Sequence, residues 1–137
     1  MRHLRKVAVE GTSMVPALNP GDWLIASYWR GGLLADIVGE SGLSYLALHG
    51  RIPQKYFERF EKRASSLVGQ VILVEREAQP GLIQIKRVIR VLESTRGEFA
   101  FWVEGDNKNL STDSRTWGAV NATEIKGVVR FRYWRSK

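Results

Sequence analysis

The chain has no cysteine, only two histidines and no long apolar run, and each shortage excludes a class of function. Without cysteine there is no thiol protease, no disulfide framework and no thiolate zinc site. His3 and His49 lie in no motif that would support a Ser-His-Asp triad. The most apolar stretch, 33–48, contains Asp36 and Glu40 as well as glycines. It therefore lacks the ~20 apolar residues that a membrane span needs.

Length and charge limit the remaining classes. A chain of 137 residues can form one domain with a buried core, and we expect residues 1–137 to be a single domain. A net charge of +7 favours an acidic partner, either nucleic acid or an anionic membrane surface. The basic segment 1–6 precedes no apolar h-region, so no signal peptide is expected. A cytoplasmic or peripheral membrane location fits these features.

The hydrophobic pattern predicts an all-β fold, a small and partly closed antiparallel barrel with one inserted helical segment at 30–66. Short strands are predicted at 5–10, 22–29, 71–74, 82–92, 99–104 and 125–134. Turns are predicted at 78–81 and 94–97. The last strand alternates apolar and basic side chains, which indicates an outer strand of the sheet.

Within the insertion, a helix is predicted to begin at Pro53 and to end at Leu67. Its apolar stripe consists of Phe57, Phe60, Ala64 and Leu67. This helix either covers one end of the barrel or forms a basic amphipathic element. In the second case, peripheral membrane contact through 33–67 is expected.

The first block with chemical content is 11–18, which reads GTSMVPAL and is followed by a Pro-Gly turn. Gly11 permits a positive φ or a close approach of the backbone to a ligand. Pro16 removes an amide donor and stiffens the chain. A serine on such a rigid turn, Ser13, is suited to display a nucleophile, but its hydroxyl needs a base.

Lys86 is the base that the sequence offers. A lysine can accept a proton only when it is neutral, and desolvation favours the neutral amine. Its neighbours in the strand are aliphatic, among them Ile85 and Val88. Alternatively, Lys86 and Arg87 are solvent-facing residues of an edge strand, where lysine hinders aggregation. Because adjacent side chains of a strand point to opposite faces, Arg87 needs a partner outside the site.

The third block, 105–118, reads GDNKNLSTDSRTWG and is dense in carboxylates and hydroxyls. It is either a polar surface loop with Asx turns or an internal network in which Asp113 pairs with Arg115. In that network Ser111 would donate to and orient a nearby amine. The block lacks the glycine and the terminal glutamate of a calcium loop, so no metal and no cofactor are expected.

Taken together and in this order, the blocks 11–18, 86–88 and 105–118 resemble the motif set of the type I signal peptidases. Those are serine endopeptidases with a Ser-Lys dyad. The third block separates the chain from self-cleaving peptidases of the SOS-repressor type, which share only the first two. The resemblance covers approximately 5–29 and 67–134.

The resemblance implies a role for individual residues. Ser13 would be the acylated nucleophile, and its backbone N–H would form the oxyanion hole. Lys86 would act as general base and then as general acid, while Ser111 would orient its amine. Met14 would line the pocket, and Asp113 and Arg115 would brace the loop. The remaining motif positions with a supporting role are Pro16, Arg87, Gly105, Asp106, Asn107 and Ser114.

Some positions depart from the family pattern. Gly11 stands where some members carry a hydroxyl, so a side-chain oxyanion donor is missing there. Ala17 replaces a frequent threonine, and 69–71 reads GQV where Gly-Asp-Val is usual. Neither the large β domain nor the N-terminal anchor of many members is expected. The stretches 80–87 and 132–134 are similar to the small, anchorless maturation proteases of nickel-type superoxide dismutase.

The sequence leaves two functions open. The first is an endopeptidase that removes a leader or signal peptide from a protein with small residues before the cleaved bond, with a nickel-type superoxide dismutase precursor as one candidate substrate. No nucleic acid partner is expected in that case. The second is a non-catalytic basic β module that binds nucleic acid or an anionic membrane through Arg130, Arg132, Arg135 and Lys137.

Overall fold

A computed structural model describes residues 2–93 and 99–137. The strands in these residues are Arg2–Ala8 (β1), Trp23–Trp29 (β2), Val71–Glu75 (β3), Ile83–Glu93 (β4), Phe99–Glu104 (β5), Val120–Asn121 (β6) and Ile125–Trp134 (β7). The helices are Gly32–His49 (α1), Phe57–Ser66 (α2) and the single turn Ser114–Trp117 (α3). The turn predicted at 94–97 lies outside the described residues.

All seven of these strands form one antiparallel sheet in the order β1-β2-β7-β3-β4-β5-β6. The predicted all-β core is thereby confirmed, and the described sheet remains open, with β1 and β6 at its edges. The prediction that the last strand lies outermost is wrong. It pairs with β2 on one side and β3 on the other, because alternation along a strand reports its two faces and not its neighbours.

The insertion contributes one more helix than the sequence predicts. Residues 32–49 are helical, with a kink at Gly39, where φ is 67°. Gly50 ends the helix in the left-handed conformation, and its N–H donates to the Leu46 carbonyl at 2.8 Å. Before the kink, the buried side chains Leu33, Leu34, Ile37 and Val38 form one stripe against the sheet. The sequence did not indicate this stripe, because glycines such as Gly39 and Gly42 are unfavourable inside a helix.

Helix α2 agrees with its prediction. A 3₁₀ turn, Gln54–Tyr56, follows Pro53 and leads into the helix. Phe60 and Ala64 are fully buried, and Leu67 is buried just after the helix end. Together with α1 they cover strand residues such as Val74 and Phe101 in the same hydrophobic cluster. The insertion therefore supplies part of the hydrophobic core that packs on the sheet.

Candidate active site

The loop that carries Ser13 connects β1 to β2 and is closed at its base by two backbone hydrogen bonds. The Val9 N–H donates to the Asp22 carbonyl at 2.8 Å, and the Gly21 N–H donates to the Val9 carbonyl at 2.9 Å. Gly11 has a φ of 72°, a conformation that a residue with a side chain rarely adopts. In this loop Met14 is buried, whereas Pro16 is exposed and follows a cis peptide bond.

Lys86 lies on β4 between β3 and β5 and is only 3% exposed. It is therefore neither on an edge strand nor solvent-facing, which removes the alternative of an aggregation-blocking lysine. Its Nζ donates to the Ser111 Oγ at 3.1 Å, so the prediction that Ser111 donates to the amine is wrong, because the Ser111 proton is donated to Asp113 instead. Burial lowers the pKa of this amine, the charge of Asp113 opposes that change, and the charge of Arg115 adds to it.

Ser111 connects the amine to a buried carboxylate. Its hydroxyl donates to the Asp113 Oδ2 at 2.8 Å while its oxygen accepts from Lys86. The same Asp113 oxygen accepts from the Gly105 N–H at 2.9 Å and from the Arg115 Nη2 at 2.9 Å. The other oxygen accepts from the Arg115 N–H and Nε at 3.1 and 3.0 Å. Asp113 is thus fully satisfied inside the protein.

These donors decide the charge state of Asp113. Burial alone would raise its pKa, but the Arg115 side chain, the Gly105 N–H and the Ser111 hydroxyl hold the pKa well below its usual range. Asp113 is therefore a carboxylate at neutral pH. The third sequence block is an internal network at this point and not a solvated surface loop, since Asp113 and Ser114 are both buried.

The third block also forms hydrogen bonds with the Ser13 loop. The Asn107 N–H donates to the Ser13 carbonyl at 2.8 Å, and its side-chain amide donates to the Thr12 carbonyl at 3.0 Å. Gly105 lies between the two parts of the site. A Cβ there would collide with the Ser111 Oγ and would come within 2.6 Å of the Ser13 carbonyl oxygen. A residue without a side chain is required because the loop and the Ser111 network meet at this position.

Three further motif residues, Arg87, Asp106 and Ser114, stabilise this arrangement. Arg87 forms a bidentate ion pair with Asp106, in which Nε and Nη2 donate to the two carboxylate oxygens at 2.9 and 2.8 Å. Its Nη1 also donates to the Gly69 carbonyl at 2.8 Å. It thus has the separate partner that strand alternation required. The Ser114 hydroxyl accepts from the Val103 N–H at 2.9 Å, which ties the loop to β5.

Ser13 and Lys86 line one cleft of about 420 Å³. Residues 5–10 form one wall of the cleft and residues 82–86 form the other. The side chains of Met14 and Leu73 also line the cleft. In the described parts of the chain, no hydrogen bond joins the Ser13 hydroxyl to the Lys86 amine, and the Ser13 N–H donates to no protein group. The serine and its amide are therefore free to meet a ligand.

Both walls of this cleft have open backbone edges. β1 pairs only with β2, so its other side is unpaired within the described sheet. β4 pairs with β5 only from Arg87 onward, which leaves the β5-facing side of 83–85 open. An extended peptide can therefore lie between the two strands and add its own hydrogen bonds to each of them.

Asp22 is an element of the site that the sequence reasoning missed. It is fully buried and accepts from the Asn19 N–H at 2.9 Å, the Ser136 N–H at 2.8 Å and the Arg132 Nη1 at 3.1 Å. It therefore joins the Ser13 loop to the C-terminal end of the chain. Its only signal in the sequence is an aspartate directly after Pro-Gly, which is common at turns.

Metal ligands do not cluster around Ser13 and Lys86 in the described part of the chain. In residues 2–93 and 99–137, no three His, Asp or Glu side chains converge to hold an ion. The polar groups that do converge are an amine, hydroxyls, a carboxylate and a guanidinium, all joined by hydrogen bonds. This set of groups is suited to move a proton to and from a hydroxyl beside an extended peptide.

Known proteins are similar to this chain over most of its length. The family model described as signal peptidase, peptidase S26 matches residues 97–134, which include the Asp113 network but neither Ser13 nor Lys86. The mitochondrial ATP-independent inner membrane protease subunit 1a of Arabidopsis thaliana is 30% identical over 127 residues, covering 92% of this chain and 68% of that protein.

Two further relatives are matched at a similar level. Signal peptidase I of Bacillus caldolyticus is 29% identical over 151 residues, covering 94% of this chain and 79% of that protein. The probable thylakoidal processing peptidase 2 of Arabidopsis thaliana is 29% identical over 143 residues. That match covers 93% of this chain but only 37% of the thylakoidal protein.

Proposed function

This chain belongs to the signal peptidase S26 family of serine peptidases, and we propose that it removes an N-terminal leader from a protein substrate by means of a Ser13–Lys86 pair. The observation that carries the proposal is the buried Lys86 amine, held by Ser111 in the same cleft as Ser13. A lysine that faces solvent would stay protonated at neutral pH and could not act as a base.

The hydrogen bonds of Ser111 explain why the amine can accept a proton. The single proton of the Ser111 hydroxyl is donated to Asp113, so towards Lys86 this oxygen can only accept. A neutral amine has two N–H groups and one lone pair, and one N–H is used by Ser111. The lone pair therefore stays available for the hydroxyl proton of Ser13, once a bound substrate closes the cleft around both groups.

The reaction then proceeds in two steps, acylation of Ser13 and hydrolysis of the acyl ester. Lys86 takes the proton of the Ser13 hydroxyl as Oγ bonds to the substrate carbonyl carbon, and the Ser13 N–H stabilises the oxyanion. The Lys86 ammonium returns that proton to the departing amine as the C–N bond breaks, leaving an acyl ester on Ser13. A water molecule gives a proton to Lys86 and attacks the ester, and the same proton restores the Ser13 hydroxyl.

The cleft walls indicate how the leader would bind. The open edges of β1 and β4 can take an extended segment as an added strand. The apolar side chains Met14, Leu73 and Ile85 line the space next to it, and Met14 is buried. Small side chains before the cleaved bond are what the resemblance to type I signal peptidases implies. The stretches 80–87 and 132–134 make a nickel-type superoxide dismutase precursor the first substrate to test.

The test is cleavage of leader-bearing precursors, with the cut mapped by mass spectrometry. Ser13→Ala and Lys86→Ala should each abolish cleavage, a loss of at least ~10³-fold, while leaving the thermal unfolding midpoint close to that of the wild type or above it. Ser44→Ala and Lys62→Ala change exposed residues of the insertion and serve as matched controls. A Ser13→Ala protein that still cuts at the same bond would refute the proposal.

A further inference from the structure

The two walls of the cleft run in the same direction. In the sheet, β1 and β4 are separated by β2, β7 and β3, and each neighbouring pair in this series is antiparallel. β1 and β4 are therefore parallel to each other, and their chains lead towards Ser13 and Lys86 respectively. Both walls consequently extend from the reacting pair to the same side, towards Arg5 and Leu82.

Charged residues are unevenly distributed along this cleft. Apart from Lys86, the charged residues that line it are Arg5, Lys6 and Glu10, all on the β1 side. Glu10 is close to Ser13 in the chain, whereas Arg5 and Lys6 lie at the far end of the wall. At ~3.3 Å per residue, the wall from 82 to 86 is about 13 Å long. The far end therefore lies about four substrate residues away from the cleaved bond.

The Arg5 side chain is held in place by an aromatic ring. Its guanidinium carbon lies 4.7 Å from the centroid of the Tyr28 ring. Tyr28 is paired with His3 across the β1–β2 ladder, and His3 shares a face of β1 with Arg5 because the two are separated by one residue. A cation over an aromatic face is attracted by the ring without being neutralised. The contact therefore orients the guanidinium and leaves its charge available.

No carboxylate of the protein uses this charge. Within the described part of the chain, Arg5 takes part in no ion pair, and it is exposed. Arg87 and Arg115 differ, because each is paired with an aspartate of the active site. Lys6 is also unpaired, but it extends from the opposite face of β1 and has no ring contact. Arg5 is thus the oriented cation that a bound peptide meets.

We propose that Arg5 is a specificity residue that binds an acidic side chain of the substrate, about four residues from the cleaved bond. A peptide added as a strand beside β1 brings its side chains next to those of β1, and a guanidinium binds a carboxylate through two parallel hydrogen bonds. Glu10 repels the same acidic side chain near Ser13, so the two charges together favour one register of the substrate. The position relative to the cleaved bond rests on the proposed function.

The test uses fluorescent peptides that span the leader junction of a nickel-type superoxide dismutase precursor. Pairs of peptides differ only in Glu or Gln at the third, fourth or fifth residue before or after the junction. The wild type should show about a fivefold higher kcat/KM for one Glu peptide, and only on one side of the junction. Arg5→Gln should remove this preference, and Arg5→Glu should replace it with a preference for Lys. Arg30→Gln removes the same charge at an exposed position outside the cleft and should retain the wild-type preference.

Three outcomes would overturn the inference. The first is an equal kcat/KM for all Glu and Gln peptides. The second is a preference for Glu on both sides of the junction, which would assign the effect to the net charge of +7. The third is a preference that survives in Arg5→Gln.

A binding measurement separates this inference from the peptidase function. The Kd of the same peptides for Ser13→Ala, with and without Arg5→Gln, is measured by fluorescence anisotropy. Tighter binding of a Glu peptide that depends on Arg5, without any cleavage by the wild type, would support the charge selection and refute the peptidase. Cleavage at the junction without a Glu preference would refute the charge selection and leave the peptidase function unaffected.

Discussion

Asp22 and Asp113 are fully buried carboxylates, each paired with an arginine and each accepting backbone N–H groups, but they support different parts of the molecule. Asp22 joins the base of the Ser13 loop to the C-terminal end and touches no group that reacts. Asp113 holds Ser111, which in turn holds the Lys86 amine. The same chemistry therefore serves architecture at one position, and at the other it also holds the hydroxyl that the Lys86 amine contacts, while its charge raises the pKa of that amine.

Among the substitutions that test this comparison of the two carboxylates, Asp113→Asn should have the largest effect. Whichever oxygen becomes the amide nitrogen, its N–H groups face existing donors from Ser111, Gly105 or Arg115. We expect kcat to fall on the order of 10²-fold and the free energy of unfolding to fall by about 3 kcal/mol. Since the Asp113 charge raises the pKa of Lys86, the acid limb of the kcat/KM profile should move to lower pH. An unchanged acid limb would contradict this account.

Ser111→Ala sharpens the comparison by removing the connection between carboxylate and amine. Asp113 keeps its arginine and its backbone donors, so the thermal unfolding midpoint should change little. The amine loses its acceptor, and kcat should fall ~10-fold or more with little change in KM. Ser111→Thr retains the hydroxyl and should recover part of the rate. If alanine and threonine at this position gave the same kcat, the orienting role would be wrong.

Asp22→Asn tests the architectural carboxylate. The neutral side chain leaves Arg132 without its charge partner and turns an N–H towards a backbone donor. The thermal unfolding midpoint should fall, while kcat at saturating substrate and the acid limb of its pH profile should stay close to those of the wild type. Glu61→Gln, a change of an exposed carboxylate in α2, is the control. A displaced acid limb in Asp22→Asn would mean that the two carboxylates are not separable.

The sequence predicts most of this sheet, because its strands alternate or are continuously apolar and are separated by glycine or proline turns. It also predicts that the side chains of Lys86 and Arg87 have different surroundings, because strand alternation places them on opposite faces of the sheet. It does not predict the helix 32–49, where a kink at Gly39 interrupts the helical period. Long-range pairing decides which strands are neighbours and which lone aspartate is buried. Local patterns therefore predict neither the inner position of β7 nor the burial of Asp22.

The smallest effect concerns acid stability. The N–H groups of Asn19 and Ser136 and the Arg132 side chain lower the pKa of Asp22 from 3.8 to about 2, against the opposing effect of burial. The unfolded chain then binds more protons than the folded chain between these two values, so this stabilisation is present above pH ~4 and is lost as the pH falls towards ~2. In urea unfolding from pH 5 to pH 2, Asp22→Asn should lose less stability than the wild type does. Asp113→Asn should also lose less stability on acidification than the wild type does, because the pKa of Asp113 is likewise held well below its usual range. Identical slopes for Asp22→Asn and the wild type would show that this carboxylate is not held ionised by its three donors.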